Sequence, residues 1–179
     1  GNFSWPINFS WKEGKLNLQV PEGFRPAGDV VWAQQIAPPL FRRLAYTGAR
    51  RQGVLYERKV HDHLSDLYGD DYMPGPWFKF ASVGERAMRI CQPDGLIIQP
   101  EKGRITLVEV KYQHTPLAWW QLKRLYLPVL RKVCPERLWK VDFCEVVKYY
   151  DPSIPFPEQV VLACHVPMQS DKFKVHIWQ

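Results

Sequence analysis

Two carboxylates and an amine stand where this chain otherwise reads as buried strand. The first is in Cys91-Gln92-Pro93-Asp94-Gly95-Leu96-Ile97-Ile98, the others in Ile105-Thr106-Leu107-Val108-Glu109-Val110-Lys111. Side chains alternate along a strand, so Glu109 and Lys111 share one face while Val110 points to the other. Buried charges are costly unless they are paired or bind a metal, so a stable fold seldom inserts three without cause. Two carboxylates beside a lysine are what a divalent-metal phosphodiesterase requires: hard oxygen ligands for the ion and an amine next to the attacking water.

The neighbouring sequence must position these groups. From Val54 to Tyr68 the period is helical, with Tyr56, Val60, Leu64 and Leu67 in one stripe and Gly69 closing it. At about 100° per residue Glu57 falls within ~20° of Leu64, at the edge of the buried stripe, with His61 further round. Strands are predicted at Trp77–Ser82, Arg86–Gln99 and Ile105–Gln113. Gln99-Pro-Glu-Lys-Gly-Arg104 is hairpin-turn chemistry, making the last two antiparallel neighbours. Thr115 as N-cap and Pro116 at the first helical position open a helix reaching about Val133, which Pro128 should kink. Leu138–Tyr150, Val160–Val166 and Phe173–Trp178 complete the strands. Helix, three strands, helix, strand is the order of an α/β sandwich with a mixed sheet. Ahead of it, residues 2–20 read as a β-hairpin, and residues 21–53 as a Pro- and Gly-rich stretch with a short helix over Pro39–Tyr46. The division is therefore an extension over 1–53 and a core over 54–179, in one compact domain overall.

This order and these residues resemble the restriction-endonuclease-like superfamily, the PD-(D/E)xK nucleases. The signature is Pro93-Asp94 followed fifteen residues later by Glu109-Val110-Lys111. The likeness covers about residues 54–150 and implies a restriction-endonuclease-like core, a central mixed β-sheet flanked by helices. It implies Mg²⁺, with Mn²⁺ as a substitute, held by Asp94, Glu109 and the Val110 carbonyl. Glu57 would be a further ligand, direct or through water; His61 is an alternative metal-proximal residue. Lys111 would hold or help deprotonate the attacking water, or stabilise the transition state. In RecB-type and lambda-exonuclease-like members the helix after the lysine carries Gln-x-x-x-Tyr. Here Gln121-Leu-Lys-Arg-Leu-Tyr126 is one residue longer. On an α-helix this places Tyr126 ~140° from Gln121, on the apolar side, so only Gln121 is carried over as a site residue.

Charge supports a polyanionic partner. The formal net charge is +6 and the pI about 9.2. No acid lies between Val30 and Tyr56, where Arg42, Arg43, Arg50 and Arg51 cluster. Arg124, Arg131 and Lys132 fall in one polar stripe with Gln121, suited to phosphate contacts that give affinity without sequence information. Replacing Arg42 and Arg43 should weaken DNA binding and flatten its salt dependence. Eight tryptophans include Trp5, Trp11, Trp32 and Trp77. Most belong in a core, and one or two could stack on unpaired bases. The cysteines (Cys91, Cys134, Cys144, Cys164) lie 43, 10 and 20 residues apart, which reads as core thiols in a reducing cytoplasm. No span approaches membrane length and no signal-peptide pattern opens the chain; Gly1 in place of methionine reads as a processed start. The expectation is a cytoplasmic Mg²⁺-dependent deoxyribonuclease, with the extension open to a protein partner or a second copy. Three alternatives stand beside it: a non-catalytic nucleic-acid-binding or assembly module, an enzyme for RNA, and Glu109–Lys111 as a plain ion pair on an edge strand.

Overall fold

The computed structural model describes residues 20–40, 47–154 and 173–179. The predicted hairpin over 2–20, the helix over Pro39–Tyr46, the strand Val160–Val166, Arg42, Arg43 and Cys164 lie wholly or largely outside those residues.

The architecture is mixed α/β, in two sheets. An antiparallel three-stranded sheet joins β1 (Val30–Ile36), β3 (Trp77–Ser82) and β4 (Arg89–Cys91) in the order β1-β3-β4. A five-stranded mixed sheet runs β2-β5-β6-β7-β8, from β2 (Tyr72–Pro74), β5 (Gly95–Gln99), β6 (Arg104–Gln113), β7 (Lys140–Tyr149) and β8 (Phe173–Ile177). β2 and β6 both pair antiparallel to β5, while β6–β7 and β7–β8 are parallel. Glu109 and Lys111 therefore sit on a central strand, not on an edge. The hairpin between β5 and β6 closes through a short 3₁₀ turn, Pro100–Lys102, with Gly103 left-handed at φ 57°. That turn is where the Pro-Glu-Lys-Gly signal placed it.

The predicted strand Arg86–Gln99 is in fact two. Gln92-Pro93-Asp94 breaks it, β4 staying in the first sheet and β5 entering the second. Proline cannot donate to a ladder, so the switch falls there. The first helix, α1 (Gly48–Tyr68), begins six residues earlier than the apolar stripe suggested. Its first two turns bury almost nothing, so no periodicity marks them. β1 was also unforeseen. Its burial does not alternate, and Ala27 and Val30 are nevertheless members of the main core with Phe78, Phe80, Leu107 and Leu122. A boundary at residue 53 thus does not separate two packing units.

α1 covers one face of the mixed sheet, where Tyr56, Val60 and Leu64 pack on Ile97, Val108, Val110 and Val146. The other face is covered by an end-to-end helical run: α2 (Leu117–Trp120), a π-helical turn (Gln121–Tyr126) and α3 (Leu127–Val133). Thr115 Oγ1 accepts from the Leu117 amide at 3.3 Å, so the helix start was read correctly to within a residue. Pro128 does not break the run. It lacks the N–H that would bond the carbonyl of Arg124, and the Ala27 amide bonds that carbonyl instead at 2.8 Å. Among the described residues no helix is long and apolar enough to cross a membrane.

Gly95 opens β5 for a steric reason. A Cβ there would lie 2.6 Å from the ring of Tyr72, which packs over it from β2 and is hydrogen-bonded to His61. Gly95→Ala is expected to cost about 1–3 kcal/mol, as overpacking does. At about 2–4 °C per kcal/mol the melting temperature should fall by several degrees, and an unchanged melt would contradict this packing.

Candidate active site

Asp94 closes the break between the two sheets, Glu109 and Lys111 lie on β6, and all three project to the face covered by the π-helical turn. The register shows why. Gly95 pairs with Val108 and Leu96 with Leu107, so Asp94 falls beside Glu109 on the side of Leu96 and Leu107. The Val110 amide donates to Asp94 Oδ2 at 2.6 Å, which pins the aspartate across the strands. The Gly75 amide donates to the Asp94 carbonyl at 2.8 Å and holds its backbone from the other side.

Glu109 is only 3% exposed, and Lys111 Nζ lies 3.1 Å from its Oε1. Its Oε2 is buried without a partner. Asp94 and Glu109 are within hydrogen-bonding reach of each other. Burial first, then the charges of Glu109 and Glu57, push the Asp94 carboxyl well above the usual carboxylate range, against the Val110 amide, which pulls it down. Burial likewise raises Glu109, with Lys111 opposing it most strongly. Two facing carboxylates in a dry site cannot both ionise at ordinary cost, so they hold a proton between them or call for a cation.

Glu57 is less engaged than its stripe position suggested. It is part-exposed and bonds His61 Nε2 at 3.2 Å on its own helix, yet its charge is felt at Asp94, Glu109, Tyr72 and Tyr126. Among the described residues no three His, Cys, Asp or Glu side chains are grouped so as to hold a metal ion by themselves. The central pair is Asp94 and Glu109.

Gln121 begins the π-helical turn, and its Oε1 is buried without a partner. The turn also alters the standing of Tyr126. Its hydrogen bonds run from i to i+5, as from the Leu127 amide to the Leu122 carbonyl, so residues five apart stack as residues four apart do in an α-helix. The extra residue in Gln121-x-x-x-x-Tyr126 is thereby absorbed. Tyr126 is buried, and burial followed by the charges of Glu109 and Asp94 raises its hydroxyl pKa well above the ordinary value. Tyr126 does lie on the apolar side, in the main core, and from there it is within electrostatic reach of both carboxylates. Pro128, seven residues after Gln121, was the one sequence signal that the register would change. Tyr72 was missed as well. It borders Asp94 and Glu57, whose charges add to burial in raising its pKa, and no motif marks it.

The basic residues divide. Arg51 and Lys132 are exposed at opposite helix ends, and Arg50 is exposed in the first turn of α1. Arg124 lies over the Trp119 ring, 5.6 Å from its centroid. Arg131 Nη1 donates to the Trp139 carbonyl at 2.8 Å, so part of its role is to hold the connection into β7. His114 is held inside the fold. Its Nδ1 faces Glu145 Oε2 and its Nε2 the Ile154 carbonyl, both at 2.7 Å, so its two ring nitrogens meet acceptors only. Burial pushes the thiols of Cys91 and Cys144 up to about 12 and about 11, which keeps them protonated core groups.

No family model matches the chain, and no curated protein or solved structure matches it either.

Proposed function

We propose that this chain is a divalent-metal-dependent nuclease that hydrolyses phosphodiester bonds in DNA, built on a restriction-endonuclease-like core. The observation that carries the reading is the Asp94–Glu109 pair, facing at the junction of two strands, one oxygen unpartnered and Lys111 bonded to the other carboxylate oxygen. The fold is compatible: an antiparallel hairpin β5–β6, a helical crossover, and β7 parallel to β6, with α1 behind.

The donors suit Mg²⁺ or Mn²⁺, which prefer carboxylate and carbonyl oxygen. Asp94, Glu109 and the Val110 carbonyl would hold the ion, with Glu57 acting through water. When bound, the metal acidifies a water and neutralises charge on the phosphate. The chain's own residues do the remainder. Lys111 neutralises Glu109 and places an ammonium beside the carboxylate pair, where it can hold a nucleophilic water or stabilise charge in the transition state. Gln121 and Tyr126 lie on the π-helical turn that covers this face, Tyr126 buried within electrostatic reach of both carboxylates. Exposed Arg50, Arg51, Arg124 and Lys132 supply positive charge for the phosphate backbone.

A second reading, a non-catalytic nucleic-acid-binding module, is favoured by one feature: Lys111 and Glu109 form a closed ion pair, which can stand as a structural tie. The test separates the two. Matched linear, circular, single-stranded and branched DNA, with RNA of the same sequence, are incubated with Mg²⁺, Mn²⁺ or EDTA, and Asp94→Asn is run beside wild type. Metal-dependent cutting lost in the variant is the expected result. Binding without cutting in any metal favours the module. Equal cutting by both proteins would place the activity elsewhere.

A further inference from the structure

α1 ends at Tyr68 before it has crossed the whole mixed sheet, and the strip of sheet beyond it floors a cavity of about 480 Å³. That volume falls in the range of small-molecule sites, about 300–1,000 Å³. Strand register assigns the floor. Ile97 pairs with Thr106 and Thr106 with Asp142, while Val108 pairs with Cys144 and Cys144 with Lys174. These side chains share the face on which α1 packs. Val108 and Glu109 are successive residues of β6, so the carboxylate pair belongs to the opposite face. The cavity lies behind the carboxylates, and what it binds does not depend on the nuclease reading.

Its two halves differ in chemistry. Next to α1 the lining is apolar, with Leu64, Leu67, Ile97 and Val108. Leu67 is 61% exposed and Tyr68 38%, so the helix end leaves apolar surface in water at the mouth. Toward the end of the sheet the lining is cationic. Lys102 comes from the β5–β6 turn, Arg104 from β6 and Lys174 from β8, and all three are exposed. Asp142 is the one acid in the lining, and Arg104 Nε already meets it at 3.0 Å. Lys102 and Lys174 form no salt bridge among the described residues. Three cations against one acid leave an excess of two positive charges, His176 aside. β8 lies two strands from β6, ~10 Å at about 4.8 Å per strand, a gap that lysine side chains span from its two sides.

Between the halves stand Gln99 and Thr106, part-buried and able both to donate and to accept. A hydrocarbon chain laid here would desolvate that amide and hydroxyl without replacing their hydrogen bonds, which is costly. A heterocyclic base offers a plane to Leu64 and Leu67 and a polar edge to Gln99 and Thr106. A phosphate beyond it lies among the cations and away from the carbonyl end of α1, which disfavours an anion.

We propose that this cavity binds a nucleoside monophosphate, its base under the end of α1 and its phosphate held by Lys102, Arg104 and Lys174. The test is isothermal titration calorimetry in EDTA with the full chain, using AMP and thymidine 5′-monophosphate as purine and pyrimidine probes. Thymidine, inorganic phosphate and laurate are titrated beside them. At least one nucleotide should bind at least tenfold more tightly than thymidine or phosphate, each of which keeps only part of the contacts. Lys102→Ala/Lys174→Ala should weaken nucleotide binding tenfold or more, and Lys102→Arg/Lys174→Arg should recover most of the loss. Asp94→Asn should bind the nucleotide as wild type does. Binding of neither nucleotide overturns the proposal, as does affinity unchanged in the double alanine variant. Phosphate bound as tightly as the nucleotides would reduce the cavity to an anion patch, and laurate bound in their place would assign it to an acyl chain. Either result overturns the nucleotide. So does loss of binding in Asp94→Asn, which would move the site to the carboxylates.

Discussion

Asp94→Asn should abolish cleavage and, in the absence of metal, make the protein more stable. The amide retains an oxygen for the Val110 N–H and removes one of two facing buried charges. Relieving that elevation removes an unfavourable buried charge, so a rise in melting temperature is expected in EDTA. Loss of the metal's contribution of several kcal/mol to the transition state predicts a fall in rate of about a thousandfold or more. The pH dependence has a definite sign. Asp94 and Glu109 titrate higher in the folded protein than in the unfolded chain, where carboxyls lie at about 4. Above pH ~4 the native state therefore binds more protons, and stability falls as pH rises toward their folded values. Wild type in EDTA should lose melting temperature over that window, with Asp94→Asn and Mg²⁺-bound wild type both flatter. A melt insensitive to Mg²⁺ at neutral pH, together with no gain in Asp94→Asn, would remove the electrostatic basis for a metal site.

Lys111→Ala should also abolish cleavage, but at a large cost in stability. Lys111 is the cation paired with Glu109, which is 3% exposed. Removing one partner of a buried pair strands the other charge, at about 3 kcal/mol here, the low end of the range because the amine keeps some contact with water. The melting temperature should drop by roughly 6–12 °C in EDTA. Two rescues distinguish this from a packing defect. Mg²⁺ should restore part of the loss by replacing the cation, and mildly acidic pH should do so by protonating Glu109. Lys111→Arg should melt close to wild type and cut poorly, since a guanidinium keeps the charge but not a transferable proton at neutral pH. A drop indifferent to both Mg²⁺ and pH would make Lys111 a packing residue only.

The local sequence determined what depends on neighbours in the chain. Alternation put Glu109 and Lys111 on one face, the Pro-Glu-Lys-Gly turn made β5 and β6 neighbours, and the stripe from Tyr56 to Leu64 marked α1. These hold because strand and helix periods, turn dihedrals and caps are set within a few residues. Tertiary structure decided the rest. That β7 runs parallel to β6, that β1 joins β3, and that Asp94 lies across from Glu109 all depend on pairings between distant residues. Tyr126 comes within electrostatic reach of the carboxylates on the π-helical turn. That turn accompanies a proline whose lost hydrogen bond leaves the Arg124 carbonyl to the Ala27 amide, from a segment almost a hundred residues earlier. No local period can report such a bond. Nor can composition separate a tryptophan in the core from Trp32 in the open, since that depends on which face of the sheet a helix covers. The sequence by itself determined which groups could do chemistry, and only the packed sheet decided which of them share a site.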